Sequence, residues 1–308
     1  MVPAFNAWRA RTGGGLQSRL EAIIGNLTTA RPPMAFGQGV SPGFGRPLIM
    51  GIVNATDDSF SGDGALAAPG GALARAQEQL AAGADIIDIG GESTRPGARP
   101  VTADEEISRV IPVIEALADT GVPISIDSRN APVMAAAMAA GARLVNDVSA
   151  LSHDPEALAL CAREELPVVL MHSQGTPETM QKDPRYDDVV TDVYDYLEAR
   201  IATAVAAGIA RNKIIIDPGV GFGKTVAHNL ALINGLAIFH GLGCPLLLGA
   251  SRKSFIAAIC PAADGAARLG GSVAVAVAAI RRGVQIVRVH DVAQTRQAIL
   301  LALALEKD

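Results

Sequence analysis

The 308-residue chain carries a net charge of −5 and has a pI near 5.6, which argues against a broad nucleic-acid surface, though not against a local anion site. It is 49% hydrophobic but only 4% aromatic, so its core must be built from Ala, Val, Ile and Leu, the usual filling of α/β layers. The apolar stretch from Gly270 to Ile280 is too short to span a bilayer and is closed by Arg281-Arg282, so no membrane partner is expected.

Residues 1–46 read differently from the rest. Arg9, Arg11, Arg19, Arg31 and Arg46 face a single acid, Glu21, and Gly13 to Gly15, Pro32-Pro33 and Pro42-Gly43 break any long pattern. No apolar core of a secretory signal is present, and an Arg-rich start can be a transit peptide. The preferred reading is an extension of a cytoplasmic protein that hugs the surface or is partly disordered. Cys161, Cys244 and Cys260 lie far apart with no CxxC, and read as buried thiols in a reducing compartment.

From Pro47 onward one unit recurs: an apolar run, a polar loop, an Ala-rich helical stretch, a Gly. The spacing predicts strands at Leu48–Asn54, Ile86–Gly90, Ile124–Asp127, Leu144–Asp147, Val168–His172, Ile214–Asp217, Leu246–Ala250 and Ile286–His290. Most are continuous apolar runs, as parallel strands covered on both faces require. Thr102-Ala103-Asp104-Glu105 predicts a capping box, and Asp154-Pro155 a helix start. Gly83, Gly121, Gly141 and Gly208 predict left-handed helix ends. Between Asp187 and Ala207, Val189, Val193, Leu197, Ile201 and Val205 predict a core-facing helix stripe. Eight strand–helix units over residues 47–308 predict one domain, a TIM (β/α)8 barrel. An open doubly wound sheet is the alternative, but no GxGxxG follows the first strand.

In such a barrel the chemistry sits at the C-terminal strand ends. Asp217 to Thr225 first suggests a P-loop, but that motif needs Gly at position 218, where this chain has Pro218. Asp217, at the strand tip, is therefore the residue of interest, and Lys224 and Thr225 read as loop and helix start. Every predicted strand leads into polar or charged groups. Asp127, Asn146 and Asp217 suit the donor–acceptor edge of a flat heterocycle, where a carboxylate makes paired hydrogen bonds. Arg95, Lys253, Arg288 and His290 suit phosphate oxygens. Asn54 offers a neutral oxygen to Mg²⁺ held mostly by water and phosphate. Asp147 is assigned to backbone near its strand end, His153, His228 and His240 to surface or capping positions, and His172 has no assigned role.

Together, MGIVNATDDSFS, GGESTRPGA, SIDS, VNDVSAL, MHSQGTPETMQ, DPGVGFGKT, GASRKSF and VRVHDV closely resemble the dihydropteroate synthase family, from about Pro47 to the C-terminus. The resemblance implies a barrel, usually a homodimer, that joins 6-hydroxymethyl-7,8-dihydropterin pyrophosphate to p-aminobenzoate with Mg²⁺ assisting. By motif, Asp127, Asn146, Met171, Asp217 and Lys253 would form the pterin pocket. Asn54, Thr94, Arg95, Arg288 and His290 would meet pyrophosphate and Mg²⁺. Phe60, Pro96, Phe222, Ser251 and Lys253 would frame the aminobenzoate, and Asp127, Asp217, Lys253 and Arg288 would carry the catalysis. The chain departs from the family at Asp57, where Pro is usual, and at Ser61-Gly62-Asp63-Gly64. A catalytically impaired pterin-binding paralogue and a pterin-dependent methyltransferase barrel are the competing readings.

Overall fold

The computed structural model describes residues 13–36, 43–55, 71–93, 101–175, 179–260 and 268–306. Eight parallel strands run β1 (Leu48–Asn54), β2 (Ile86–Gly90), β3 (Ile124–Asp127), β4 (Leu144–Asp147), β5 (Val168–Met171), β6 (Ile214–Asp217), β7 (Leu247–Leu248) and β8 (Ile286–Val289). They pair in the order β6-β5-β4-β3-β2-β1-β8-β7. A single parallel bridge between Ile216 and Leu246 closes the ring between β6 and β7. β7 is the shortest strand, shorter than the predicted 246–250, because Pro245 has no N–H to give and the chain leaves the ladder at Gly249.

The helices cover the outside. They are α1 (Gly13–Thr28), α2 (Gly71–Ala81), α3 (Ala103–Leu117), α4 (Ala131–Ala140), α5 (Ala157–Arg163), α6 (Val189–Ala206), α7 (Val226–Asn234), α8 (Ser254–Ile259), α9 (Leu269–Ile280) and α10 (Val292–Leu305). The predicted capping box opens α3: Thr102 accepts from the Glu105 N–H, and Glu105 from the Thr102 N–H. Asp154 instead makes a turn before α5, accepting from the Glu156 N–H at 2.9 Å, so that helix starts later than its Pro suggests. On α6, Val189, Val193, Leu197 and Ile201 are buried, but Val205 is 42% exposed and Ala204 takes its place. A spacing of four advances 40° beyond a full turn at each step, so a run of fours drifts off the core face. Cys161 and Cys244 are buried, but Cys260 is exposed, against expectation.

Strand alternation sorts the barrel into two cores. Residues such as Ile87, Ile89, Val145, Ile214 and Ile216 face the helices. Their neighbours Ile86, Leu144, Val169, Ile215 and Ile286 face inward and pack with Met34 and Phe36. Those last two come from the segment after α1 and are almost fully buried, at 2% and 1% exposure. The segment is tied down by Asn26 Nδ2 donating to Gly241 O at 2.8 Å and Arg31 Nη2 to His240 O at 2.6 Å. Met34 and Phe36 thus plug the strand-start end of the barrel.

Candidate active site

Two residues beyond most inward apolar residues, the same strand face turns polar, and on β5 it carries Met171. Ile86 is followed by Asp88, Leu144 by Asn146, Val169 by Met171, Ile215 by Asp217 and Ile286 by Arg288. A side chain two positions along a strand keeps its face and moves up by roughly 6.6 Å. Position in the barrel, rather than a turn motif, gathers these groups at the strand ends.

Arg288 lies at the centre. Its Nε donates to Asp88 Oδ2 at 2.6 Å and its Nη2 to Asp127 Oδ2 at 2.6 Å. Asn146 Nδ2 donates to the same Asp88 oxygen at 3.0 Å, which leaves the Asn146 carbonyl oxygen as the edge for a ligand. One cation stands between two carboxyl groups. Burial raises the Asp127 carboxyl against the opposing pull of Arg288, and the flanking carboxylates hold the Arg288 guanidinium firmly charged. Asp88 is fully buried and its Oδ1 has no partner. Asp88 escapes sequence reasoning from strand ends because it lies inside β2 rather than at its tip. An acid inside Ile86-Ile87-Asp88-Ile89 was the available signal.

Asp217, 5% exposed, stands across Gly249 from Arg288: a Cβ at Gly249 would lie 3.6 Å from Asp217 Oδ2 and 3.8 Å from Arg288 Cδ. Burial pushes its carboxyl up to about 6, with the Gly219 N–H and Lys253 pulling the other way. Asp217 Oδ1 accepts that N–H at 2.7 Å, so Oδ2 remains to face a ligand. Gly219 has φ +68°, and a Cβ there would stand 1.8 Å from the His172 carbonyl oxygen, so the turn admits only glycine.

The remaining expected residues fall around this centre. Lys253 Nζ sits 3.8 Å above the centroid of the Phe222 ring, a favourable cation–π placement. Phe222 packs with Met171 and Met180. Ser251 is buried, and its Oγ lies 3.1 Å from His290 Nδ1 and 3.2 Å from the His290 N–H, joining the tips of β7 and β8. Asn54 ends β1 opposite Gly90, which in turn lies opposite Asp127. Phe60, Thr94, Arg95 and Pro96, like Asp57 and Ser61 to Gly64, lie outside the described residues. Asp147 does bond locally, accepting from the Ser149 and Leu151 N–H groups, and His228 caps α7.

A family model described as "Pterin binding enzyme" matches residues 50–290. The chain is 47% identical to the dihydropteroate synthase of Escherichia coli (strain K12), over 86% of this chain and 93% of that protein. It superposes on the Yersinia pestis dihydropteroate synthase, solved with a sulfonamide drug, with a TM-score of 0.85 at 46% identity, covering 89% of this chain and 100% of that one. The Xanthomonas albilineans dihydropteroate synthase, solved in complex with 7,8-dihydropteroate, gives a TM-score of 0.81 at 41% identity, covering 90% and 100%. A single barrel, the match across it and the identity over nearly its whole length agree: the chain belongs to the pterin-binding enzyme family, among the dihydropteroate synthases.

Proposed function

We propose that the chain condenses 6-hydroxymethyl-7,8-dihydropterin pyrophosphate with p-aminobenzoate, giving 7,8-dihydropteroate and pyrophosphate. The observation that carries this reading is the pair of carboxylates, half-buried Asp127 and buried Asp217, set on either side of Arg288 at the strand ends. A dihydropterin presents adjacent N–H donors and a carbonyl along one edge. Asp217 Oδ2 and Asp127 can accept from the donors, and the Asn146 carbonyl adds an acceptor. Met171 supplies an apolar face against the ring.

The carboxylates of Asp88 and Asp127 take Nε and Nη2 of Arg288, which leaves Nη1 for a phosphate oxygen. His290, with Asn54, Thr94 and Arg95, completes the pyrophosphate side. Among the described residues there is no cluster of three His, Cys, Asp or Glu able to hold a metal. A lone amide oxygen at Asn54 suits Mg²⁺, whose other ligands are phosphate and water. When bound, Mg²⁺ offsets charge on the departing pyrophosphate.

The C–O bond to pyrophosphate breaks first, in an SN1-like step, and its electron pair leaves with the phosphate. The Asp127 and Asp217 carboxylates favour the methylene cation left on the pterin. The arylamine lone pair then forms the C–N bond, and the nitrogen releases a proton. An arylamine is nucleophilic enough to need no strong base. Phe222, Ser251 and Lys253, with Phe60 and Pro96, frame it. A homodimer and a cytoplasmic location belong to the same proposal; among the described residues no helix is long and apolar enough to cross a membrane.

Purified protein given the pterin pyrophosphate, Mg²⁺ and p-aminobenzoate should release pyrophosphate and form dihydropteroate in equal amounts. Pterin binding without turnover would sink the enzymatic reading.

A further inference from the structure

The Gly-Lys-Thr that imitates a P-loop has a use the proposed reaction leaves open. Lys224 is 3% exposed. Its ammonium donates to Phe222 O at 2.9 Å and lies 2.9 Å from His172 Nδ1. An ammonium has donors only, so Nδ1 accepts and the imidazole carries its proton on Nε2. His172 is itself buried, edge-on to Tyr196 at 4.8 Å between ring centroids. It follows β5, and its N–H donates to Asp217 O at 3.0 Å. Lys224 therefore pins the loop after β6 to the tip of β5.

The pinned peptide belongs to Phe222, and the rest of that loop is held as well. Phe222 N–H reaches Gly219 O at 3.1 Å, Gly221 N–H reaches Asn229 Oδ1 at 2.7 Å, and Tyr186 O–H reaches Gly223 O at 2.8 Å. Lys224 alone of these donates a buried side-chain N–H to the carbonyl of the residue whose ring lies under Lys253. Burying a lysine is costly, and here burial pulls its pKa down to about 7 while His172 is held neutral, down to about 3. A hydrophobe would fill the space at less cost, so the buried amine and its two hydrogen bonds point to a positional demand.

We propose that Lys224 is a positioning residue for the second substrate: through the Phe222 carbonyl it fixes the Phe222 ring, and through that ring it places the Lys253 ammonium where p-aminobenzoate binds. This rests on the reaction proposed above and deepens it. On the pterin side, the Lys224 amine makes its hydrogen bonds to Phe222 O and His172 and reaches the Asp217 carboxylate only through its charge, the weakest of the influences on that carboxyl.

Lys224→Met should raise KM for p-aminobenzoate about tenfold, the loss of a hydrogen bond from a charged donor, while KM for the pterin substrate stays within about twofold. In a Phe222→Leu background the same substitution should change KM for p-aminobenzoate little. Equal loss on both substrates, or additive effects in the double variant, would overturn the proposal. His172→Asn keeps an acceptor near the Nδ1 position and should behave as wild type, whereas His172→Leu should reproduce the aminobenzoate defect; this pair decides the matter if Lys224→Met does not fold. A readout without turnover uses fluorophenylalanine, since the chain has 7 Phe and Phe222→Leu assigns the signal. The Phe222 fluorine line should be single in wild type and shifted or split in Lys224→Met or His172→Leu. An unchanged line would contradict the proposal even if the wild type proved inactive, and an inactive wild type with the shifted line would fault the assigned reaction alone.

Discussion

The two ends of the barrel are built from the same strands and do opposite things. At the strand starts, Ile86, Leu144, Val169, Ile215 and Ile286 meet Met34 and Phe36 in a sealed apolar plug. Two residues on, Asp88, Asn146, Asp217 and Arg288 form a polar floor under the mouth, with apolar Met171 beside them. The plug gains by excluding water, whereas the floor gathers charge that water would otherwise solvate. Stability and chemistry are thus stacked along one axis, separated by one step of strand alternation. Substitutions at the two ends should separate in what they change.

The largest effect is expected from Arg288→Ala. It removes the cation proposed to meet departing charge and strands Asp88 and Asp127 without it. Turnover should fall by about a thousandfold, and stability by about 3–5 kcal/mol because buried carboxylates lose their partner; steady-state kinetics and thermal melts read both. Because Arg288 touches Asp127, pterin binding should suffer too, and unchanged pterin affinity would break the link between these residues. At the other end, Phe36→Ala should cost about 3–5 kcal/mol in denaturant unfolding with kcat preserved in the folded fraction.

Asp88→Asn is gentler. It keeps the shape and removes a charged acceptor from Arg288 and Asn146, so kcat/KM should drop by about ten- to a hundredfold. The smallest effect is on pH dependence. Asp217 has its carboxyl raised by burial to about 6, above the usual value near 3.8. Its contribution to the stability of the free protein is therefore present below about pH 4 and lost as pH rises through about 6. Pterin affinity should run the other way, since N–H donors need the carboxylate. It should tighten up to about tenfold per unit below pH 6 and then level off, and calorimetric titration across pH should show this slope vanish in Asp217→Asn.

Much of this was legible in the sequence, for a reason visible in the fold. Parallel strands buried on both faces leave uninterrupted apolar runs, so seven of the eight predicted strands keep their ends or shift by a single residue at the tip, and only β7, hemmed by Pro245 and Gly249, shrinks to a pair. Asp127, Asn146 and Asp217 could be read because each ends such a run. Asp88 could not be read that way, since it lies inside its strand, and only the barrel's inward face shows that it matches Asn146 in role. The partnership of Lys224 with His172 spans 52 positions and has no sequence signature. Nor does the plug: Met34 and Phe36 sit in a Pro-rich stretch without periodicity, and only their burial against the inward strand faces reveals their place.

Pterin affinity measured by calorimetry on wild type, Asp217→Asn and Phe36→Ala tests the division between the two ends most directly. Asp217→Asn should bind the pterin at least about tenfold more weakly, while folded Phe36→Ala should bind as wild type does. Equal weakening in both variants, or full affinity in Asp217→Asn, would contradict the account.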